Sequence, residues 1–202
     1  MLRYPLDQTD HNLFHIRTFD AEQEAAWNSL KLPVPPIRPD LDGIRQAQAA
    51  KTPDQQRRIE EETMASSIVQ RFSMGKEDVR AIQAANDYIV PFAYRAKMLY
   101  ARARPDQLGI MPSIATPLHA SYPSGHAMQA YAYRDVMTCL HPEKEQPYAQ
   151  IAEDIAYNRV RAGVHYPSDS VVSAELARQI RCPMLQRLVE QGQVPERCLC
   201  TE

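Results

Sequence analysis

The ten residues YPSGHAMQAY, from Tyr122 to Tyr131, place a proline, a serine, a glycine and a histidine directly before a helix-forming segment. Ser124 is a good N-cap, because its hydroxyl can accept a hydrogen bond from a free N–H of the first turn. Gly125 allows close approach of the backbone, and His126 falls where the helix dipole disfavours an imidazolium. A helix start of this kind is typical of an anion site. The same residues also fit a capped core helix with an incidental histidine.

The segments around this stretch have the 3.6-residue apolar spacing of amphipathic helices. They cover residues 52–71, 76–102 with an expected break at Pro91, 124–140, 148–161, 167–180 and 183–191. Met64 and Leu99 are among the residues expected to face the core. No convincing run alternates β-branched and polar residues, so strands are not expected. The pattern predicts an all-α, single-domain helical bundle.

The 202 residues are enough for one domain, which we divide into three parts. Residues 1–55 are expected to be an irregular, proline-rich segment that packs on the core, with one helix over 20–32. The stretch LPVPPIRPD contains four prolines and is expected to lie extended across the helices. Residues 56–192 are expected to form the helical core, and 193–202 a C-terminal tail.

The net charge of −2 provides no basic field for nucleic acid, so no nucleic-acid partner is expected. No apolar stretch reaches the roughly 20 residues that cross a bilayer, and the N-terminus lacks the apolar region of a secretory signal. We therefore expect no integral membrane segment and a cytoplasmic protein, or a periplasmic or secreted one if the chain is a processed form. A homo-oligomer remains open.

The cysteines and one acidic run have simple interpretations. Cys139, Cys182, Cys198 and Cys200 are expected to be reduced, with the last two in a free tail. A Cys-x-Cys pair without partners is weak evidence for a metal site. Residues 60–62 are three successive glutamates, for which a solvated helix face is the expectation.

Three short segments carry residues suited to phosphate chemistry. They are KMLYARARP with Lys97 and Arg104, PSGH with Ser124, Gly125 and His126, and NRVRAGVHYPSD with Asn158, Arg159, His165 and Asp169. Guanidiniums, an ammonium and the N–H groups of a helix start bind a phosphate dianion well. His165 and Asp169 are spaced i, i+4, so the carboxylate can bind one ring nitrogen and leave the other free. His165 and His126 are residues of the types that serve as nucleophile and general acid.

No metal ligand set is needed for this chemistry, because the cations can neutralise charge as Mg²⁺ does elsewhere. Each residue alone also fits a structural role. Lys97 and Arg104 fit surface positions, His165 fits a core histidine, and Asp169 fits an acid at a helix start. Their joint occurrence in this order and at these spacings favours a phosphate site.

The order KxxxxxxRP, PSGH and RxxxxxHxxxD resembles the signature of the type 2 phosphatidic acid phosphatase superfamily. That superfamily includes class A non-specific acid phosphatases and vanadium-dependent haloperoxidases. The resemblance covers Lys97 to Asp169, about a third of the chain. It implies an all-α core, a phosphohistidine on His165, Asp169 as its orienting carboxylate, and His126 as general acid and then base.

The resemblance also implies which residues bind the phosphate oxygens. They are Lys97, Arg104 and Arg159, with Ser124 and Gly125 completing the cradle. The family usually has serine before the third-motif arginine; here Asn158, whose amide can still donate, is expected beside the phosphate. Arg102 and Arg161 either contact a second phosphate or face water, and the latter is expected. His119 either contacts a leaving group or lies at the surface.

Three functions are compatible with the resemblance. The favoured one is a soluble, metal-independent phosphatase without a cofactor, whose partner is a small phosphate monoester or diphosphate. Vanadate would inhibit it, because vanadate resembles the transition state of phosphoryl transfer. The second is a haloperoxidase that uses vanadate as its cofactor, although known haloperoxidases of this type are considerably longer. The third is a non-catalytic relative that binds a phosphorylated ligand.

Overall fold

A computed structural model describes residues 2–5, 9–10 and 18–200. Over these ranges the α-helices are α1 (Ala21–Ser29), α2 (Leu41–Ala49), α3 (Pro53–Glu61), α4 (Ala65–Phe72), α5 (Lys76–Tyr100), α6 (Gly125–Leu140), α7 (Glu145–Arg161) and α8 (Pro167–Glu190). Among the described residues, β pairing is limited to an isolated bridge between Arg3 and Arg102. The predicted all-α fold class is confirmed.

Helix α6 lies at the centre of the bundle and packs against α5, α7 and α8. One core cluster joins α5, α6 and α8 through Phe92, Met128 and Leu176. A second joins α6 to α7 through Met137 and Ile155. Each such side chain contributes roughly 1.5–3 kcal/mol when it is fully buried. Because α6 is packed on three sides, its first turn, which holds the PSGH motif, is fixed relative to the neighbouring helices.

The segment 52–71 is two helices rather than one. Helix α3 ends at Glu61 and α4 begins at Ala65. Met64, which was expected in the core, is the N-cap of α4 and is 63% exposed. The turn between the helices brings Glu62 inside instead, where it is 1% exposed. Because the helix is interrupted between Glu61 and Ala65, the carboxylate of Glu62 faces the core in place of the apolar side chain of Met64.

Two prolines lie inside continuous helices, although a break was expected at the first. Helix α5 continues through Pro91, and α8 continues through Pro183. A proline in a helix interior costs about 3 kcal/mol, because it lacks an N–H and clashes with the preceding turn. Pro91 is itself buried, so core packing offsets this cost.

Leu99 was expected to face the core but is 57% exposed, because Ala96 and Lys97 take the inward face of the last turn of α5.

The N-terminal region contains more helix than expected. The predicted helix over 20–32 is α1, whose N-cap Asp20 forms a capping box with Gln23. Helix α2 is a further element, held by Ile44, which packs with Val160 of α7. The expectation of an irregular segment is wrong at α2, because nine residues with two buried apolar side chains show little periodicity. Part of the expectation falls on residues 1, 6–8 and 11–17, which lie outside the described residues.

The prediction of reduced cysteines and a free tail is wrong. Cys139 of α6 is bonded to Cys198, and Cys182 of α8 is bonded to Cys200. The two bonds attach the end of the chain to two core helices. Spacing along the sequence does not reveal these pairings, because Cys139 and Cys182 lie 59 and 18 residues before the tail cysteines to which they are bonded.

None of the helices over the described ranges has both the length and the apolar character that crossing a bilayer requires.

We expect reduction of the disulfides to lower the free energy of unfolding. The bonds close loops of 59 and 18 residues. The chain-entropy model assigns them about 4 and about 3 kcal/mol. Urea unfolding of the oxidised protein, the dithiothreitol-reduced protein and a Cys139→Ser/Cys198→Ser variant measures the loss. Equal unfolding midpoints for all three samples would contradict this expectation.

Candidate active site

The three motif segments meet at one cavity of about 300 Å³. Lys97 lines it from the last turn of α5, and Gly125 and His126 line it from the first turn of α6. His165 lines it from the loop before α8, where Arg104 Nη1 lies 3.4 Å from His165 Nε2. Residues that are up to 68 positions apart in the sequence therefore share one small space.

The end of α5 aims the first motif at this cavity. Ala101 adopts the left-handed conformation, with φ 45° and ψ 42°, and its N–H donates to the carbonyl of Lys97 at 2.8 Å. This conformation costs a residue other than glycine roughly 1–2 kcal/mol. The chain then runs extended, so Arg102 and Arg104 project to the same side. The N–H of Tyr4 donates to the carbonyl of Ala101 at 2.6 Å and holds the turn.

His165 is oriented by Asp169, one helical turn later. His165 Nδ1 lies 3.1 Å from Asp169 Oδ2. Since a carboxylate accepts, this contact places the proton on Nδ1 and leaves Nε2 unprotonated, with Arg104 Nη1 3.4 Å away. Burial and the charge of Arg104 lower the pKa of His165 to about 3, although Asp169 opposes them. His165 is therefore neutral, as a nitrogen nucleophile must be.

Asp169 is fully buried and surrounded by donors. Its Oδ2 accepts from the backbone N–H of Tyr166 at 3.1 Å and from the hydroxyl of Ser121. Its Oδ1 accepts from Arg102 Nη1 at 2.6 Å. Burial alone would raise the pKa of Asp169, but the hydrogen bond from His165 and the charges of His165 and Arg102 lower it to about 2. Asp169 therefore remains a carboxylate down to a pH of about 2.

The expectation that Arg102 and Arg161 face water is wrong for Arg102 and only partly right for Arg161. Arg102 is 2% exposed, donates to Ser168 Oγ at 2.8 Å and stacks 4.0 Å from the ring centroid of Tyr166. Arg161 is half-buried, and its Nη1 donates to Asn158 Oδ1 at 2.9 Å. Arg102 is consequently the cation that supports Asp169 from the side away from His165.

Lys97 and Arg104 are buried cations, and neither appears in an ion pair among the described residues. Lys97 Nζ donates to backbone carbonyls in the loop 120–123, at 2.9 and 3.3 Å for two of them. Arg104 Nη1 donates to the carbonyl of Val164 at 2.8 Å. Burial lowers the pKa of Lys97 well below its usual range and that of Arg104 to about 10. Lys97 lines the cavity, and Arg104 lies behind its wall next to His165, so an anion beside His165 Nε2 would lie close to both charges.

His119 lines the cavity rather than the outer surface, and its contact with a leaving group stays a prediction. Its Nδ1 is 3.0 Å from Arg104 Nη2, and its ring meets that of Tyr94 edge to face at 5.3 Å between centroids. Burial, together with the charges of Lys97 and Arg104, lowers the pKa of His119 strongly. His119 is therefore a neutral wall of the cavity next to the cations.

His126 presents a free ring nitrogen. Its ring bonds to the backbone of Glu62, and its Nε2 is buried without a hydrogen-bond partner. Burial lowers the pKa of His126 to about 3, and the charges of Arg159, Lys97 and Arg104 add to this effect. A ligand that brings negative charge would counter those cations, so Nε2 is placed to exchange a proton with it.

Glu62 is a functional residue that the sequence interpretation missed. Its carboxylate accepts from Arg159 Nη2 at 2.8 Å and from Asn158 Nδ2 at 3.2 and 3.1 Å, and it pairs with Arg71. The expectation of a solvated acidic face is wrong at this position, which is 1% exposed. Glu62 thus holds Arg159 and, through its backbone, His126.

The remaining predicted residues take different places. Asn158 does not line the cavity, because its amide is bonded to Glu62. Ser124 Oγ accepts from the N–H of Ala127 at 3.4 Å, as the predicted N-cap of α6. Gly125 lines the cavity, and a Cβ there would meet no protein atom within 4 Å. Glycine at this position therefore leaves space for a ligand.

Two signals in the sequence could have identified the missed residues. Ile59 is correctly expected inside, and Glu62, three residues later, shares its helical face. Arg102 is two residues before Arg104, so both share one side of an extended chain. Ser121, which donates to Asp169, has no comparable signal, because only the folded chain brings its loop to α8.

We expect Arg102→Gln to shift the acid limb of the pH profile upward. Arg102 lowers the pKa of Asp169, so its removal raises that pKa, and the oriented form of His165 is lost at higher pH as the solution is acidified. A shift of about one unit is expected. The pH dependence of kcat/KM for 4-nitrophenyl phosphate measures it. A matched Arg45→Gln variant, at an exposed position of α2, should leave the profile unchanged.

Known proteins share this fold. Residues 82–182, half of the chain, match the family model described as the PAP2 superfamily. The crystal structure of Aquifex aeolicus LpxE is similar with a TM-score of 0.53 and 24% identity, over 68% of this chain and 88% of that one. The transmembrane PAP2-type phosphatidylglycerolphosphate phosphatase from Bacillus subtilis has a TM-score of 0.54 and 18% identity, over 90% and 92%. No curated protein matches the chain.

The matched span contains the cavity and its motifs. It includes Lys97, His126, His165 and Asp169, together with α6, around which the bundle is packed. The two similar structures extend the agreement in fold to most of the chain. With its all-helical core and its three motifs gathered at one cavity, the chain belongs to the PAP2 superfamily.

Proposed function

We propose that the protein is a metal-independent phosphatase that hydrolyses phosphate monoesters, or a small diphosphate, through a phosphohistidine on His165. The observation that carries this proposal is the pair of buried cations Lys97 and Arg104, which have no ion pair among the described residues. They lie near the unprotonated Nε2 of a neutral histidine, 3.4 Å from Arg104 Nη1. Buried cations favour an anion in the space they face. A neutral imidazole held by a carboxylate is a competent nucleophile.

In the first step, the phosphate oxygens are bound by Lys97, Arg104 and the N–H groups at Gly125. His165 Nε2 attacks phosphorus, and an N–P bond forms as the bond from phosphorus to the ester oxygen breaks. The departing oxygen takes a proton from His126 and leaves as an alcohol. The charge that spreads over the phosphoryl oxygens is stabilised by the two cations, which are already in place.

In the second step, water hydrolyses the phosphohistidine. His126, now neutral, accepts a proton from the water as its oxygen attacks phosphorus. The N–P bond breaks, its electron pair returns to Nε2 of His165, and inorganic phosphate leaves. Asp169 and Arg102 keep the ring oriented throughout. The charge neutralisation that a metal ion provides in other phosphatases is assigned here to Lys97, Arg104 and Arg159.

The test is hydrolysis of 4-nitrophenyl phosphate in EDTA, with and without orthovanadate. The proposal expects turnover that EDTA leaves intact and orthovanadate inhibits. Turnover that EDTA abolishes would contradict metal independence. Oxidation of bromide with vanadate and peroxide, without ester hydrolysis, would identify a haloperoxidase. A phosphate-dependent rise in Tm without turnover would identify a binding protein.

The pH dependence should follow His126. In the free enzyme its pKa is about 3, so its protonated fraction falls about tenfold for each pH unit above that value. We expect the ratio of wild-type to His126→Ala kcat/KM for ethyl phosphate to increase as the pH falls from 8 to 4. The ratio cancels the ionisation of the substrate itself. With 4-nitrophenyl phosphate, whose leaving group needs no proton, the variant should lose far less.

We also propose that the protein works in an oxidising compartment. The two disulfides support this, because such bonds persist mainly outside the cytosol. The cytoplasmic expectation rested on the lack of a secretory signal and is not maintained. Alkylation of the protein isolated from its native source, followed by mass measurement, tests the proposal. Free thiols at Cys139 and Cys182 in that material would contradict it.

A further inference from the structure

The cavity extends beyond the phosphate cradle along α5. Asn86, Val90 and Ala93 precede Lys97 on one face of the helix, at spacings of three and four residues, and all four line the cavity. Eleven residues of α-helix span about 16 Å. The first turn beside Lys97, about 5 Å, belongs to the phosphate. A trough of about 11 Å is therefore left between the cradle and Asn86.

The middle of this trough is apolar. Ile89, Val90 and Ala93 form the wall on α5, and Met128, one turn after Gly125, forms the wall on α6. Among the described residues, Lys97 is the single lysine or arginine that lines the cavity, and it lies at the cradle end. The trough thus provides apolar contact but no second cation.

The far end of the trough is polar and neutral. Asn86 Oδ1 accepts from Gln129 Nε2 at 2.8 Å and from the hydroxyl of Tyr133 at 2.9 Å. Asn86 Nδ2 has only a 3.5 Å contact with Asp87 Oδ1. Because the Asn86 oxygen is already used twice, its amide N–H groups and the oxygen of Gln129 are available to a ligand.

We propose that the trough holds the alcohol part of the substrate, so that the preferred substrate is a phosphate monoester of a compact apolar alcohol with a neutral hydrogen-bonding group at its far end. This inference rests on the proposed phosphatase function. An extended chain advances about 1.2 Å per bond, so about eight carbons reach from the cradle to Asn86. A diphosphate fits poorly, because its second phosphate would meet apolar side chains instead of a cation.

Monophosphates of primary n-alcohols with two to twelve carbons, used below their micelle concentrations, test the length of the trough. Their leaving groups have nearly the same pKa, so kcat/KM reports contact alone. We expect kcat/KM to increase about three- to fourfold per carbon up to about eight carbons and then to level off. A flat series would overturn the inference. A rise that continues to twelve carbons would overturn it too, since it would indicate an open apolar surface.

The far end is tested with 8-hydroxyoctyl phosphate against octyl phosphate. The terminal hydroxyl should raise kcat/KM in the wild type, and Gln129→Leu should remove that advantage. Val90→Phe, which fills the middle of the trough, should lower the ratio of kcat/KM for octyl over ethyl phosphate at least tenfold. Val171→Phe is the matched control, because Val171 is 69% exposed on α8, and it should leave that ratio unchanged. An equal ratio in both phenylalanine variants would overturn the inference.

The two proposals fail in different ways. If no ester in the series is hydrolysed, the phosphatase function is wrong, and the inference about the trough falls with it. If ethyl phosphate is hydrolysed as fast as octyl phosphate, the phosphatase function stands and the trough is not a substrate site.

Discussion

His165→Ala is expected to lower kcat/KM for 4-nitrophenyl phosphate by about 10⁴-fold or more while the protein stays folded. The variant removes the atom that would form the bond to phosphorus. Asp169 keeps its contacts with Arg102, Ser121 and the N–H of Tyr166, so the loss of one partner leaves it bonded. Since 4-nitrophenolate leaves without a proton, the loss reports the nucleophile and not His126. Initial rates in EDTA and a thermal melt measure the two expectations.

The control is another histidine of the chain. His141 bonds to Asp78 at 2.9 Å and does not line the cavity, so His141→Ala should retain its turnover. Rapid quenching in alkaline detergent should also trap an alkali-stable, acid-labile phosphoryl group on the wild type and none on His165→Ala. Turnover by His165→Ala within tenfold of the wild type would show that another group attacks phosphorus.

Glu62→Gln is expected to have the second large effect, on stability and on activity together. The change leaves Arg71 and Arg159 around a neutral amide in a buried place. Breaking a buried ion pair by removing one partner costs about 3–5 kcal/mol. In a chain of this size that corresponds to a drop in Tm of roughly 10 °C. Because Arg159 then loses its fixed position beside His126, KM should increase as well.

The neighbouring glutamate provides a matched control. Glu61 is exposed and has the same chemistry one position earlier, so Glu61→Gln should change Tm by less than about 2 °C. Thermal melts of the two variants and of the wild type decide the matter. Equal Tm values for Glu61→Gln and Glu62→Gln would show that the buried carboxylate contributes nothing to the fold.

The agreement between sequence and structure is closest where a local rule applies. The helices over 124–140 and 148–161 follow the 3.6-residue apolar spacing, and the structure has them as α6 and α7. The i, i+4 spacing of His165 and Asp169 also corresponds to a direct contact, across the N-cap and the first turn of α8. Such features depend on neighbours in the chain and can be read from it.

Local rules fail where packing has the larger energy. Pro91 was expected to interrupt its helix, yet α5 continues through it, since the core holds the flanking turns on either side. Met64 was expected to be buried, but the turn between α3 and α4 exposes it and buries Glu62. In each case a contact with a distant element outweighs the preference of the segment itself.

From the sequence alone, apolar periodicity determined the helical fold class, and three short motifs pointed to Lys97, Gly125, His126 and His165, which line the cavity. Only the tertiary structure decided which charges compensate one another: Glu62 with Arg159, Arg102 with Asp169, and neither carboxylate with Lys97. It also decided the disulfides and the trough along α5. The reason is physical. Helical periodicity and motif spacing are set by interactions a few residues apart, whereas ion pairing, disulfide bonding and cavity shape are set by residues that only folding brings together.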